Sequence, residues 1–257
     1  MRHSRAEPLF TSGNNLLRAL RAADLAQLEP LVSGWDGRAG AVLFEPGDAV
    51  DHVYFPCGPS LVSFQVPLPD GRAIETAIVG REGAVGGIVS RGLPPAYVRA
   101  VVQFPGPFLR VETARLEAAK ARSQPIADLF ARYADCLLAQ IFQATACNAA
   151  HTIEQRTAKW LLATIDRTGD HVVPLTQEQL AGLLGVGRSY ASRVVQSLKR
   201  KGVVATRRGR LAVRDFEALC AASCGCQDVV RDHFDVVLAG VYPTEHDLSD
   251  CREAPAA

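Results

Sequence analysis

Arg188, Ser189, Ser192 and Arg193 bring two guanidinium groups and two hydroxyls together on one short stretch. A guanidinium is a rigid fork of donors. It suits the O6 and N7 edge of guanine, where a good pair is worth about 1–3 kcal/mol of discrimination. The charge around these residues has one sign. Between Gln179 and Arg214 there is no Asp or Glu, while the segment holds Arg188, Arg193, Lys199, Arg200, Lys201, Arg207, Arg208, Arg210 and Arg214. The whole chain carries a formal charge of only +1, so the cations are concentrated in this region. A local surface of that kind is what phosphate binding requires.

These side chains need a scaffold. Residues 175–195, LTQEQLAGLLGVGRSYASRVV, predict two short helices joined by a tight turn. Thr176 and Gln179 have capping-box spacing. Leu180, Ala181, Leu183 and Leu184 give the first helix an apolar stripe. Gly185 stops it, because glycine takes the left-handed conformation without steric penalty. Val186 turns inward, and the second helix starts near Gly187 and Arg188. Ala191, Val194, Val195 and Leu198 form its buried face, which leaves Arg188, Ser189, Ser192, Arg193 and Gln196 outside. Gly202 closes it. GVVATRRGRLAVRD then predicts two short strands about a turn at Arg208–Gly209. A helix-turn-helix followed by a basic hairpin is a winged helix, with the hairpin against the DNA backbone. An ordinary αα-hairpin with solvated arginines has the same helix pattern but does not account for the concentrated charge.

Residues 175–219 resemble the DNA-binding domain of the Crp/Fnr superfamily of bacterial transcription regulators, through LTQEQLAGLLGVGRSYASRVVQSLKRKGVV and RRGRLAVRDFEAL. The resemblance implies that the second helix reads an operator through Arg188, Ser192 and Arg193. Ser189 stands where the family often has an acid, and Ser cannot accept from cytosine as a carboxylate does. Thr176, Gln177, Ser189, Lys199, Lys201 and Arg208 complete the expected interface with double-stranded DNA.

The first half of the chain reads differently. Leu16, Leu17, Leu20, Leu25 and Leu28 lie on a helical stripe near the start. From Trp35 to Val111 short β-rich runs alternate with turns: AVLFEPGDAV, HVYFPCG, LVSFQV, AIETAIVG, YVRAVVQF and PFLRVE. Asp70–Gly71 is a hairpin signal of the type I′ kind, and Gly47–Asp48 marks another turn. Many short strands at this spacing predict a small antiparallel barrel or roll. FEPGD, VYFP and GREGAVGGIV resemble the cyclic-nucleotide-binding roll of the same superfamily. The predicted fold is therefore α+β. A jelly-roll-like antiparallel sensor occupies 1–122, a dimerisation helix 123–150, a winged helix-turn-helix 151–219, and a C-terminal helical extension and tail 220–257.

Family members that bind a cyclic nucleotide use a loop carboxylate for the ribose and an Arg-Ser or Arg-Thr pair for the phosphate. Here the loop falls on Gly83, Ala84, Val85 and Gly86, and the pair on Pro94 and Pro95. Proline has no backbone N–H to offer a phosphate. Glu82 and Arg91 are the nearby substitutes, so Glu82, Gly83, Gly86 and Arg91 are the candidate effector pocket, for a ligand not identified. Where cyclic-AMP binders place Thr and Ser in the long helix, this chain has Ile141 and Phe142.

Ser123-Gln124-Pro125 reads as a helix start, and no Gly or Pro follows before Thr164, which predicts one long helix or two abutting ones. Phe130, Tyr133, Leu137, Ile141 and Ala144 recur at coiled-coil-like steps. A helix buried in its own domain gives the same spacing. The resemblance implies that the stripe pairs two subunits, whose two recognition helices would then meet a palindromic operator. RNA polymerase is a further expected partner if the regulator is an activator.

In the extension, Val230, Phe234, Val237 and Leu238 predict a helix docked on the wing domain. Cys220, Cys224 and Cys226 form C-x3-C-x-C, with His246 and Cys251 downstream. This is not a standard metal spacing. Packed thiols at a helix junction are the simpler reading, so no metal or cofactor is assigned. The three cysteines remain the candidates for iron or zinc, and an iron–sulfur or thiol redox sensor is the alternative function. A nucleotide-gated module acting on a protein partner is a further alternative, which the basic helix-turn-helix and wing argue against. Seven scattered cysteines fit reduced thiols. No apolar run reaches about 18 residues and the N-terminus lacks an apolar leader core, so a cytoplasmic protein without a membrane span is expected. Gly-rich phosphate loops, H-E-x-x-H and G-x-S-x-G are absent from the sequence. His3, His52, His151, His171, His233 and His246 suggest no shared site, so no enzyme is expected.

Overall fold

A computed structural model of the chain describes residues 13–88, 92 and 94–243. The N-terminal apolar stripe forms α1 (Asn15–Arg18), α2 (Ala22–Leu28) and a 3-10 turn at Glu29–Leu31. Its five leucines are all buried. Seven strands follow: β1 (Ser33–Gly37), β2 (Val42–Phe44), β3 (His52–Pro56), β4 (Leu61–Pro67), β5 (Ala73–Val79), β6 (Arg99–Phe104) and β7 (Gly106–Glu112). Each β-rich run of the sequence is a strand. β1 alone had no signal, because SGWDG is poor in strand formers. It is held by pairing with β7. The antiparallel sheets β1-β7-β3 and β2-β6-β4-β5 enclose a shared core that includes Phe44, Val62, Phe64, Val102 and Phe108.

The hairpin at Asp70–Gly71 joins β4 to β5, but not through a type I′ turn. Gly71 has φ +83°, and no non-glycine residue has positive φ among the described residues. The Gly71 N–H donates to the Leu68 carbonyl at 3.0 Å and the Leu68 N–H to the Arg72 carbonyl at 2.7 Å. The loop therefore has three residues, a turn closed by a left-handed glycine. Pro69 is the reason, since its fixed negative φ suits the first corner of a type I turn.

α3 (Thr113–Arg122) leads into α4 (Gln124–Ala150) and α5 (Ile153–Thr168). The Ser123 hydroxyl caps α4 and donates to Asp24 at 2.7 Å. The helices α4 and α5 are separate although no Gly or Pro divides them. A capping box makes the break. The Gln155 N–H donates to the Thr152 hydroxyl at 3.3 Å, and the Thr152 N–H donates to the Gln155 side chain at 3.0 Å.

The apolar stripe of α4 exists, but it faces the chain's own core. Phe130 and Tyr133 are 0% and 1% exposed. Phe130 packs edge-on against Phe55, and the Tyr133 hydroxyl donates to the Ala84 carbonyl at 3.1 Å. Leu137 and Ile141 lie against the roll, and Ala144 borders a cleft between α4 and α5. The stripe expected between subunits is thus largely used within one. The open face of α4 runs instead through Ala131, Asp135, Leu138, Phe142 and Thr145, in alternating steps of four and three. Leu138 is 47% exposed and Phe142 63%.

The remaining elements are β8 (Val172–Val173), α6 (Gln177–Leu184), α7 (Arg188–Arg200), β9 (Val204–Arg207), β10 (Arg210–Val213), α8 (Phe216–Ala222) and α9 (Cys226–Val237). α9 forms as the spacing predicts and touches the winged domain at α5, where the Gln227 side chain donates to Asp166 at 3.3 Å, but its apolar face packs mainly on α4. Val230, Phe234 and Leu238 join Leu16, Leu25 and Phe130 in one core, away from the wing. The Asn15 side chain donates to the Val241 carbonyl at 3.1 Å. His246 and Cys251 lie outside the described residues.

Candidate nucleic-acid interface

α6 starts at the predicted capping box. The Gln179 N–H donates to the Thr176 hydroxyl at 3.1 Å, and the Thr176 N–H to the Gln179 side chain at 2.9 Å. Gly185 ends it with φ +68°. Leu180, Ala181, Leu183 and Leu184 of α6, and Ala191, Val194, Val195 and Leu198 of α7, are buried. Most of them share one core with Trp160, Leu161 and Ile165 of α5. α7 is thereby held by one face, and the other is open to solvent.

Arg188, Ser189 and Arg193 are exposed on that free face, and Ser192 is half-buried. Sequence reasoning passed over Tyr190. It is 43% exposed, and the Arg193 guanidinium stacks over its ring at 5.2 Å. The ring steadies Arg193 without using its donors. The wing is β9 and β10, paired Arg207 to Arg210, with Gly209 at the tip. β8 adds a third strand. Two residues were too little pattern to find in the sequence. All nine cations between Gln179 and Arg214 are exposed, as is Thr176, while Gln177 is half-buried. Lys201 differs from the others because its ammonium pairs with Glu154 at the start of α5.

Residues 155–222 match the family described as the Crp-like helix-turn-helix domain. Solved structures agree over a larger span. FixK2 from Bradyrhizobium japonicum aligns with TM-score 0.64 at 17% identity, over 75% of this chain and 98% of that one. TTHB099, a transcriptional regulator of the CRP family from Thermus thermophilus, aligns with TM-score 0.62 at 21% identity, over 74% and 96%. The c-di-GMP responsive global regulator CLP of Xanthomonas campestris aligns with TM-score 0.62 at 17% identity, over 76% and 100%. Residues 155–222 thus carry a Crp-like helix-turn-helix domain, and the chain shares the fold of these solved regulators. No curated protein sequence matches it.

The loop expected to form the effector pocket makes contacts within the fold. Glu82 accepts from the Arg167 Nε at 2.7 Å, and both side chains are 1% exposed. Glu82 also accepts from the Gly80 N–H at 3.1 Å. Its carboxylate is thus committed to an ion pair between the roll and α5. A side chain at Gly83 would overlap the Tyr133 hydroxyl, and one at Gly86 the His52 carbonyl. Both glycines therefore serve close packing. Arg91 lies outside the described residues. Of the cysteine candidates, Cys220 is exposed, while Cys224 and Cys226 are buried together with Cys147.

A second carboxylate bridges the same two parts. Glu75 of β5 accepts from the Ser63 hydroxyl at 2.6 Å and from the Trp160 indole of α5 at 2.5 Å. Removal from water pushes its pKa up to about 7, against the hydrogen bonds and the charges of Lys159 and Arg167. The unfolded value is 4.5. The raised folded value means that the stability tied to this proton is complete below pH 4.5 and is lost as pH rises through 7. The melting temperature of Glu75→Gln is accordingly expected to fall less than that of the wild type between pH about 5 and about 8. Parallel curves would show that this carboxyl does not set the slope.

Proposed function

We propose that this chain is a sequence-specific DNA-binding transcription regulator acting as a homodimer on two-fold symmetric operators. One observation carries the reading. Arg188, Ser189 and Arg193 stand outward on a helix anchored by its other face, inside a surface of nine exposed cations without an intervening carboxylate in the sequence. Selection of bound sequences from a random duplex pool tests it. The expected result is an enriched palindrome with half-site centres about 10 base pairs apart, or a multiple of that spacing. A pool that stays random after several rounds overturns it.

The open face of α4 supports the dimer. Leu138 and Phe142 are large apolar side chains one turn apart on a face that nothing else covers among the described residues. Phe142→Glu is expected to convert a dimer into a monomer in sedimentation and to weaken operator binding with it, since a like-charged pair would sit at the seam. Its circular dichroism spectrum should match that of the parent chain, because Phe142 is 63% exposed and not in the core. A variant that remains dimeric places the subunit contact elsewhere.

The signal does not enter through a nucleotide-phosphate site of the usual kind in this reading. Pro94 and Pro95 offer no donors in place of an Arg-Ser pair, and Glu82 is spent on Arg167.

A further inference from the structure

Cys147, His151, Cys224 and Cys226 come from separate places in the chain. Cys147 lies in the last turn of α4, His151 caps that helix, and Cys224 and Cys226 lie at the junction of α8 and α9. Their four candidate ligand atoms all fall within 4.8 Å of one another. The Cys147 and Cys224 sulfurs are 3.6 Å apart, and the Cys226 sulfur is 3.5 Å from the His151 Nδ1.

Those separations select one kind of occupant. A tetrahedral zinc ion, with Zn–S of about 2.3 Å and Zn–N of about 2.0 Å, gives S–S edges of about 3.8 Å and S–N edges of about 3.5 Å. A four-iron cluster binds each ligand to a different iron and spreads them wider. A disulfide between Cys147 and Cys224 would account for two of the four groups and leave Cys226 and His151 unexplained. We propose that these four side chains form a Cys3His site for a single zinc ion.

The surroundings suit that ion. The Gln143 side-chain amide donates to the Cys226 sulfur at 3.1 Å, the outer hydrogen bond that orients a ligating thiolate. Binding releases three thiol protons, and three thiolates against a dication leave one negative charge. Arg156 and Lys159 of α5 border the same cleft as Cys226 and offset it. The imidazole binds through Nδ1 in its neutral form, with its proton on Nε2.

The site spans the α4–α5 break. His151 and Thr152 are the only residues between the two helices, and α5 begins the domain that carries α7. A bound ion fixes the end of α4 to the α8–α9 junction across that break. It also pins the start of α9, whose remaining turns pack on α4.

The test is metal content. The chain isolated from cells and dialysed is expected to hold one zinc per chain by mass spectrometry of the elements. Cys224→Ser and Cys226→Ser should each bring this close to zero, while Cys220→Ser leaves it unchanged. Replacement by cobalt should give the strong visible bands of a tetrahedral thiolate complex, lost in Cys226→Ser. If a serine variant does not fold, His151→Cys keeps four ligands and should keep the zinc, with a shifted cobalt spectrum. Three results would each overturn the proposal: zinc content indifferent to Cys224 and Cys226, acid-labile sulfide with broad brown absorbance, or a Cys147–Cys224 disulfide in protein isolated without reductant. None of these readouts depends on DNA binding, so the site and the regulator reading stand or fall separately.

Discussion

Arg167→Leu is expected to cost about 3–5 kcal/mol of stability, because it strands the Glu82 carboxylate in the interior. In a chain of this size that corresponds to a melting temperature lower by about 10 °C. Arg167 does more than balance one charge. Its guanidinium also donates to the Tyr242 hydroxyl at 2.8 Å, the Ala163 carbonyl at 2.9 Å and the Gln140 side chain at 3.2 Å. It lies over the Tyr242 ring at 5.0 Å. The pair thus joins the roll, α4, α5 and the segment after α9. Calorimetry of Arg167→Leu, Glu82→Gln and the double variant separates the charge from the packing. The double variant should recover much of the loss, since the worst penalty is the unpaired buried carboxylate. A loss below about 1 kcal/mol for Arg167→Leu would mean that water reaches Glu82 in its place.

Arg193→Ala and Arg188→Ala should each weaken binding to a selected operator by about 10- to 100-fold, the scale of one bidentate base contact. Binding to random duplex should change little. Arg208→Ala at the wing should weaken both alike and lower the salt dependence by about one ion. Lys201→Ala should do less than Arg208→Ala, because Glu154 already holds its ammonium. Tyr190→Ala should follow Arg193→Ala in direction, since the ring positions that guanidinium. Fluorescence anisotropy over a salt series reads all five. Equal losses at Arg188, Arg193 and Arg208 on both kinds of DNA would mean that α7 is not the reading helix.

The helix-turn-helix was legible in the sequence because its signals are local. Thr176, Gln179, Gly185 and the apolar spacing of α6 and α7 act within one turn of themselves, and the structure places each as the pattern predicts. The strands of the roll were legible for the same reason, apart from β1. The failures share a different cause. The stripe through Phe130, Tyr133 and Leu137 states that one face of α4 is covered but not by what. Its partner is the roll, and that information lies dozens of residues upstream. The same holds for α9, whose apolar face was plain while its destination was not. Glu82 looked like a ligand-binding carboxylate because Arg167 is 85 residues away. Nothing local in the sequence singles out Cys147 by itself, and His151 shares no site with the other histidines there. Their spacing of four residues was a usable signal, since it puts two ligand types on one helix face. It gained meaning only when the fold brought Cys224 and Cys226 beside them.

The hydrogen bond from Asn15 to Val241, 226 residues apart in the chain, has a bearing on synthesis. The core around Leu16, Leu25 and Phe130 needs Val230, Phe234 and Leu238 to close. A nascent chain emerging from the ribosome can assemble the strands early, but it must hold this apolar surface open until α9 has been translated. The interval is one in which a chaperone would find its target, and a chain cut short just after α8 would leave the roll without the surface that closes this core.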